Sequence, residues 1–253
     1  MRQSKHTISS THTMSTRHIV ALSGGKDSTA MALRLREIEP RPYEYICTPT
    51  GNEPDEMFAH WKRLGELLGQ PMIPIVAGTL SGLIEQQHAL PNWRQRWCTR
   101  MLKIQPYAKW LRGVGLCVSY VGLRADEEER EGGDYLELPN VRQDFPLRRW
   151  GWGIKEVRAY LDQRGVTIPK RTDCSLCFFQ RLIEWYELWR DQPAAWAEGE
   201  RLETLTGHTF RSPGRDTWPA AMVELRKRFE SGAIPKDTRP GPLQQMRCRV
   251  CRL

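Results

Sequence analysis

Short apolar runs alternate with helical periods over the first 150 residues of the chain. His18-Ile-Val-Ala-Leu22 reads as a buried strand, and a turn follows at Ser23-Gly-Gly-Lys26. Ser28 to Glu39 then places Met31, Leu35 and Ile38 on one helical face until Pro40 and Pro42 end it. Tyr43–Cys47 predicts a second strand, Pro54–Leu68 a helix closed by Gly69, Met72–Val76 a third strand and Val118–Val121 a fourth, with helical segments between them. Strands that alternate with helices predict an α/β fold, a parallel sheet with helices on both faces, whose ligands sit at the C-terminal strand ends. After Trp152 the pattern changes: Ile154–Arg164 and Arg181–Trp196 read as helices and no further strand is apparent. The expected organisation is a disordered polar leader (1–17), an α/β domain suited to binding a nucleotide (18–150) and a mostly helical, basic, cysteine-bearing C-terminal part (151–253).

Composition narrows the class. The 253 residues suit one large domain or a core with an appendage. A mean hydropathy of -0.59, with no apolar run near the ~20 residues a membrane helix needs, predicts a soluble protein without a membrane partner. The first residues lack a secretory apolar stretch, so a cytoplasmic location is expected. The net charge is +8, and residues 201–253 hold 11 Lys and Arg against 5 Asp and Glu. Arg211, Arg215, Arg226, Lys227 and Arg228 in that region are candidates for contact with nucleic acid phosphates, and equally for a solvated basic surface. Trp97, Trp150 and Trp152 are candidates for stacking on a base.

The chemistry concentrates first at Ser23-Gly24-Gly25-Lys26-Asp27-Ser28, where a strand turns into a helix. Glycines let phosphate oxygens approach the amides, the helix N-terminus adds partial positive charge, Lys26 adds a full one, and two hydroxyls donate. Lys26 follows directly on the glycine pair, so this is not a Walker A loop. It resembles the PP-loop of the ATP pyrophosphatase superfamily, which implies ATP as substrate, an adenine nucleotide alpha hydrolase-like, Rossmann-like fold, and catalytic roles for Lys26 and Asp27. Thr50-Gly51 resembles the same superfamily's second strand end, implying nucleotide contact there. Gly122-Leu-Arg124-Ala-Asp126-Glu127 and Phe145-Pro-Leu147 resemble the branch containing the phosphoadenylyl sulfate reductases. At a central strand end, Arg124 suits a phosphate and Asp126 and Glu127 suit a magnesium ion, although acidic residues also simply favour a helix start.

Seven cysteines in a reducing compartment read as metal or redox sites before disulfides. Cys174/Cys177 and Cys248/Cys251 are Cys-x-x-Cys pairs, while Cys47 and Cys117 lie inside strands and suit the core. Arg96-Trp-Cys98-Thr-Arg100-x-x-Lys103 resembles the cysteine segment of sulfonucleotide reductases that hold a four-iron four-sulfur cluster, which implies such a cluster on Cys98, Cys174 and Cys177 with Cys248 or Cys251. A structural zinc on the two pairs is the alternative. The chain departs from those reductases by keeping Lys26 and by ending without their Glu-Cys-Gly-x-His segment. The resemblance therefore implies an enzyme that adenylylates an acceptor, nucleic acid being one candidate, for sulfur transfer, served by a sulfur donor protein. A sulfonucleotide reductase served by a thioredoxin-like reductant, or a non-catalytic nucleotide-binding module, are the alternatives.

Overall fold

The computed structural model describes residues 16–129 and 138–238. Most of the leader and both Cys248 and Cys251 lie outside them. The chain runs β1 (Arg17–Ala21), α1 (Lys26–Ile38), β2 (Tyr43–Cys47), α2 (Asp55–Leu68), β3 (Ile73–Pro74) and α3 (Leu80–Gln87). A helical turn α4 (Trp97–Thr99), a π turn (Arg100–Ile104) and α5 (Gln105–Arg112) then follow without a break, and lead to β4 (Cys117–Tyr120), β5 (Val141–Asp144), α6 (Pro146–Arg149) and α7 (Ile154–Gln163). Helices α8 (Leu182–Asp191), α9 (Pro193–Thr206) and α10 (Met222–Glu230) complete it.

All strand pairs are parallel, in the order β3-β2-β1-β4-β5. The order reverses at β1, whose neighbours β2 and β4 lie to either side, so the crevice for a ligand opens at the C-terminal ends of β1 and β4. Strand periodicity sends successive β1 side chains to opposite faces. Val20 and Leu22 pack with Ala30, Met31 and Leu35 of α1 and with Val157 and Leu161 of α7. Ile19 joins Tyr107, Ala108 and Leu111 of α5 on the other face. A separate core holds Leu80, Ile84, Trp185, Trp196, Leu202, Met222, Leu225 and Phe229, from α3 and α8–α10.

Three local differences from the expected elements have physical causes. The third strand shrinks to Ile73–Pro74 because proline cannot donate to the ladder and is tolerated at an edge. The expected helix over 181–196 is two, since Pro193 cannot continue α8 but suits the first turn of α9. Strand β5 went unseen because Val141-Arg-Gln-Asp144 is polar, as a half-covered edge strand can be. Helix α7 packs into the first core, so the α/β unit's packing continues past residue 150.

Candidate functional site

The loop between β1 and α1 is shaped by α2. Gly24 has φ +84°, and a Cβ there would stand 2.6 Å from Trp61 Nε1, so only glycine fits. Trp61 Nε1 donates to the Ser23 carbonyl at 2.9 Å, and His60 Nε2 meets the Gly24 carbonyl at 2.9 Å. Because a carbonyl only accepts, His60 carries its proton on Nε2; burial pushes its pKa below the ordinary value. With two loop carbonyls held by α2, the unpaired amides of α1's first turn remain as the loop's donors. Ser23 Oγ and Ser28 Oγ lie 3.0 Å apart, and Ser28 Oγ also donates to Gly25 O at 3.1 Å. Neither His60 nor Trp61 was singled out by sequence. The only signal is that Met57, His60 and Leu64 share α2's buried face.

Ser23, Gly25, Lys26, Asp27, Ser28 and Gly122 line a cleft of about 1060 Å³. That volume is at the upper end of ordinary small-molecule sites. Its far walls come from α5 (Lys103 and Ile104 of the π turn, Tyr107), from α7 (Arg158, Leu161) and from the segment Gly165–Asp173. Lys26 Nζ approaches Asp27 Oδ2 at 3.3 Å, while Asp27 Oδ1 is buried without a hydrogen-bond donor.

The remaining predicted residues lie behind that wall. Arg124 is 0% exposed and reaches Asp27 at 2.9 Å, Asp126 at 2.7 Å and Glu127 at 3.5 Å. Asp126 also accepts from the Ile154 amide at 3.0 Å, and so caps α7. Glu127 Oε2 accepts from the Arg124 amide at 3.3 Å. The guanidinium is thus surrounded by carboxylates of its own chain, one of which, Asp27, lines the cleft. Gly122 is where the β4 loop presses on α1, a Cβ there standing 3.1 Å from the Ser28 nitrogen. Thr50 donates twice to Glu53 Oε1, from its amide and its hydroxyl, both at 2.7 Å. Gly51, at φ +72°, would drive a Cβ to 2.5 Å from Thr79. These two residues shape the β2 loop rather than wall the cleft.

That β2 loop meets the cysteines. The Ser175 amide donates to Asn52 O at 2.7 Å, Arg171 Nη2 donates to Cys174 O at 2.9 Å, and Gln180 holds Ser175 O at 2.5 Å. Thr172, two residues before Cys174, stands beside the phosphate loop near Gly25. Cys177 donates to Cys174, which lowers the Cys174 thiol's pKa, with help from Lys103 and Arg171, and raises that of Cys177. Cys98 feels Cys174's charge and is pushed up mainly by burial. Among the described residues, however, no three His, Cys, Asp or Glu side chains converge as metal ligands. Cys47 and Cys117 are buried, as expected; burial and the nearby Glu53 push Cys47 up to about 11.

Of the five candidate basic residues in 211–228, three pair with carboxylates of the chain. Arg226 pairs with Glu200 at 2.7 Å, Lys227 with Glu224 at 2.7 Å, and Arg211 is buried against Asp216 at 2.7 Å. Arg228 lies over Trp218, 4.5 Å from the ring centre, while Arg215 is exposed. Trp150 and Trp152 pack against the first core beneath Arg34, and Trp97 packs against the helical core. The expected nucleic-acid contact through these residues gains no support from their placement.

The parallel sheet places a glycine loop and a helix N-terminus at its switch point, the position at which open α/β sheets take their ligands. The phosphoadenosine phosphosulfate reductase domain model matches residues 17–170, and the chain belongs to that family. Among solved structures, the chain is similar to a phosphoadenylyl-sulfate (PAPS) reductase from Candida auris, in a phosphate complex. That match has 13% identity and a TM-score of 0.46, covering 61% of this chain and 76% of the other. No curated protein sequence matches the chain. Among the described residues no helix is long and apolar enough to cross a membrane.

Proposed function

We propose that the chain is an ATP-dependent enzyme that cleaves ATP between the α and β phosphates. The observation that carries this reading is Lys26 at the start of α1 on the cleft wall, beside the loop whose carbonyls α2 takes up. A leaving pyrophosphate needs that charge, and Lys26, held at 3.3 Å by Asp27 among the first-turn amides, supplies it. Asp27, with Oδ1 lacking a donor, is the residue suited to a magnesium ion, which would neutralise polyphosphate charge when bound. Asp126 and Glu127 instead hold Arg124, and Arg124 acts as a positioning residue for Asp27.

In the reaction an acceptor oxygen attacks the α phosphorus, forming an acceptor–AMP ester and releasing pyrophosphate. A sulfur nucleophile then displaces AMP, leaving the acceptor carrying sulfur. Cys174, whose thiol is the more acidic of its pair, is the residue suited to carry that sulfur as a persulfide taken from a donor protein's persulfide. Once the outer sulfur has displaced AMP, the Cys177 thiol breaks the remaining S–S bond, freeing the thiolated acceptor and leaving a Cys174–Cys177 disulfide for a thiol reductant to reopen. The metal reading of the same thiols requires Cys248 or Cys251, and iron and zinc content of anaerobically purified protein decides it. The family match favours a second reading, reduction of an adenylyl sulfate by a thiol. Pyrophosphate formed from Mg-ATP supports the first, sulfite formed from phosphoadenylyl sulfate the second. Formation of neither would leave a nucleotide-binding module.

A further inference from the structure

From Gln86 to Ala125 the chain contains seven Lys and Arg and no Asp or Glu. This stretch is more one-sidedly basic than the C-terminal region and differs from it in what its charges touch. Arg94, Arg100, Lys109 and Arg112 are exposed, and among the described residues none has a carboxylate partner. The π turn decides how they line up. In a regular helix, positions 100 and 105 would point roughly 140° apart. The extra residue accommodated in Arg100–Ile104 brings Arg100 round onto the face of Gln105, Lys109 and Arg112. One exposed stripe results, while the opposite face of the same helix buries Leu102, Tyr107 and Leu111 and puts Lys103 and Ile104 on the cleft wall. Lys109 and Arg112 also complement the helix C-terminus; Arg94 and Arg100 have no such local reason to be there.

Just before this helix stands an aromatic platform. Trp93 is 61% exposed, and Arg94 lies over its ring at 4.7 Å. Asn92 fixes the loop by accepting from the Arg94 and Gln95 amides at 2.9 and 3.0 Å. An exposed indole on a braced loop, followed by unpaired cations along a helix, matches a strand of bases and phosphates better than a protein surface, which would call for apolar neighbours around Trp93.

We propose that the face formed by Trp93, Arg94 and the Arg100–Lys109–Arg112 stripe binds single-stranded nucleic acid, with a base stacked on Trp93 and the backbone running along the helix beside the cleft. This names the acceptor class for the reaction above and rests on that reading only for its purpose. Binding is measured without ATP, and ATP binding without nucleic acid, so either can fail alone.

The test is fluorescence anisotropy of a labelled 20-nucleotide single strand with the full chain over a salt series. The variants are Trp93→Ala, the triple change Arg100→Glu/Lys109→Glu/Arg112→Glu, and Lys227→Glu for comparison, each checked for an unchanged circular-dichroism melt. Trp93→Ala should weaken binding by about 5- to 150-fold, the range of one lost stack. The triple variant should lower the slope of log affinity against log salt by roughly 2, about 0.7 per lost phosphate contact. Lys227→Glu should change neither. The proposal is overturned if the wild-type chain does not bind at low salt, if the triple variant binds as before, if Lys227→Glu weakens binding as much as the triple change, or if a duplex binds as tightly as the single strand.

Discussion

Replacing Arg124 by Met removes a cation of similar volume from a site with no solvent exposure and strands three carboxylates. Breaking a buried ion pair from one side costs about 3–5 kcal/mol. Here the carboxylate partners retain some water, Asp27 at 16% and Asp126 at 35% exposed, which places the expected loss near the lower end, about 3 kcal/mol. The measurement is urea denaturation of wild type and variant at pH 7. Arg124→Lys should recover little, because one ammonium cannot meet three carboxylates on different sides. A loss below about 1 kcal/mol would refute the reading of Arg124 as a buried anchor rather than a phosphate ligand.

Other consequences follow from named contacts. Trp61→Phe removes the donor to Ser23 O and should cost about 1 kcal/mol of stability while weakening ATP binding, read by calorimetry. Glu203, 8% exposed and accepting from the Phe210 and Met222 amides, has its pKa raised to about 7 from 4.5 by burial. The unfolded chain therefore releases this proton first as pH rises, so the contribution to stability is full below pH 4.5 and is lost by about pH 7. Glu203→Gln should flatten the stability profile across that window, and an unchanged profile would assign the slope to other groups. Iodoacetamide at neutral pH, followed by mass spectrometry, should label Cys174 before Cys47, whose thiol burial pushes up to about 11; the reverse order would contradict the shared Cys174–Cys177 proton.

The parallel core was legible because β1, β2 and β4 are apolar runs and because Gly24, Lys26 and Gly69 punctuate them with turn and cap chemistry. The candidate loop at Ser23–Ser28 was legible for a related reason: its glycines, hydroxyls and charges are contiguous in the chain. What sits around it was not. Arg124 at a strand end looks the same in sequence whether it faces a ligand or three carboxylates, because Asp27 is 97 positions away. His60 and Trp61 brace the loop across 36 and 38 positions, a contact that helical periodicity places inward without saying against what. The charge count of 201–253 does not show that, among the described residues, Arg226, Arg211 and Lys227 pair with Glu200, Asp216 and Glu224 on folding. Among the described residues, Arg100, Lys109 and Arg112 of the 97–112 helix are exposed without a carboxylate partner.

The claim on which the rest depends is that the loop at β1 holds a polyphosphate through Lys26. Calorimetric titration of the full chain with ATP, in competition with pyrophosphate and for Lys26→Ala alongside wild type, tests it most directly. The account predicts that pyrophosphate displaces ATP and that Lys26→Ala weakens both by roughly 10- to 150-fold, the range for a hydrogen bond to a charged group. ATP binding that pyrophosphate does not displace and that Lys26→Ala leaves unchanged would contradict it.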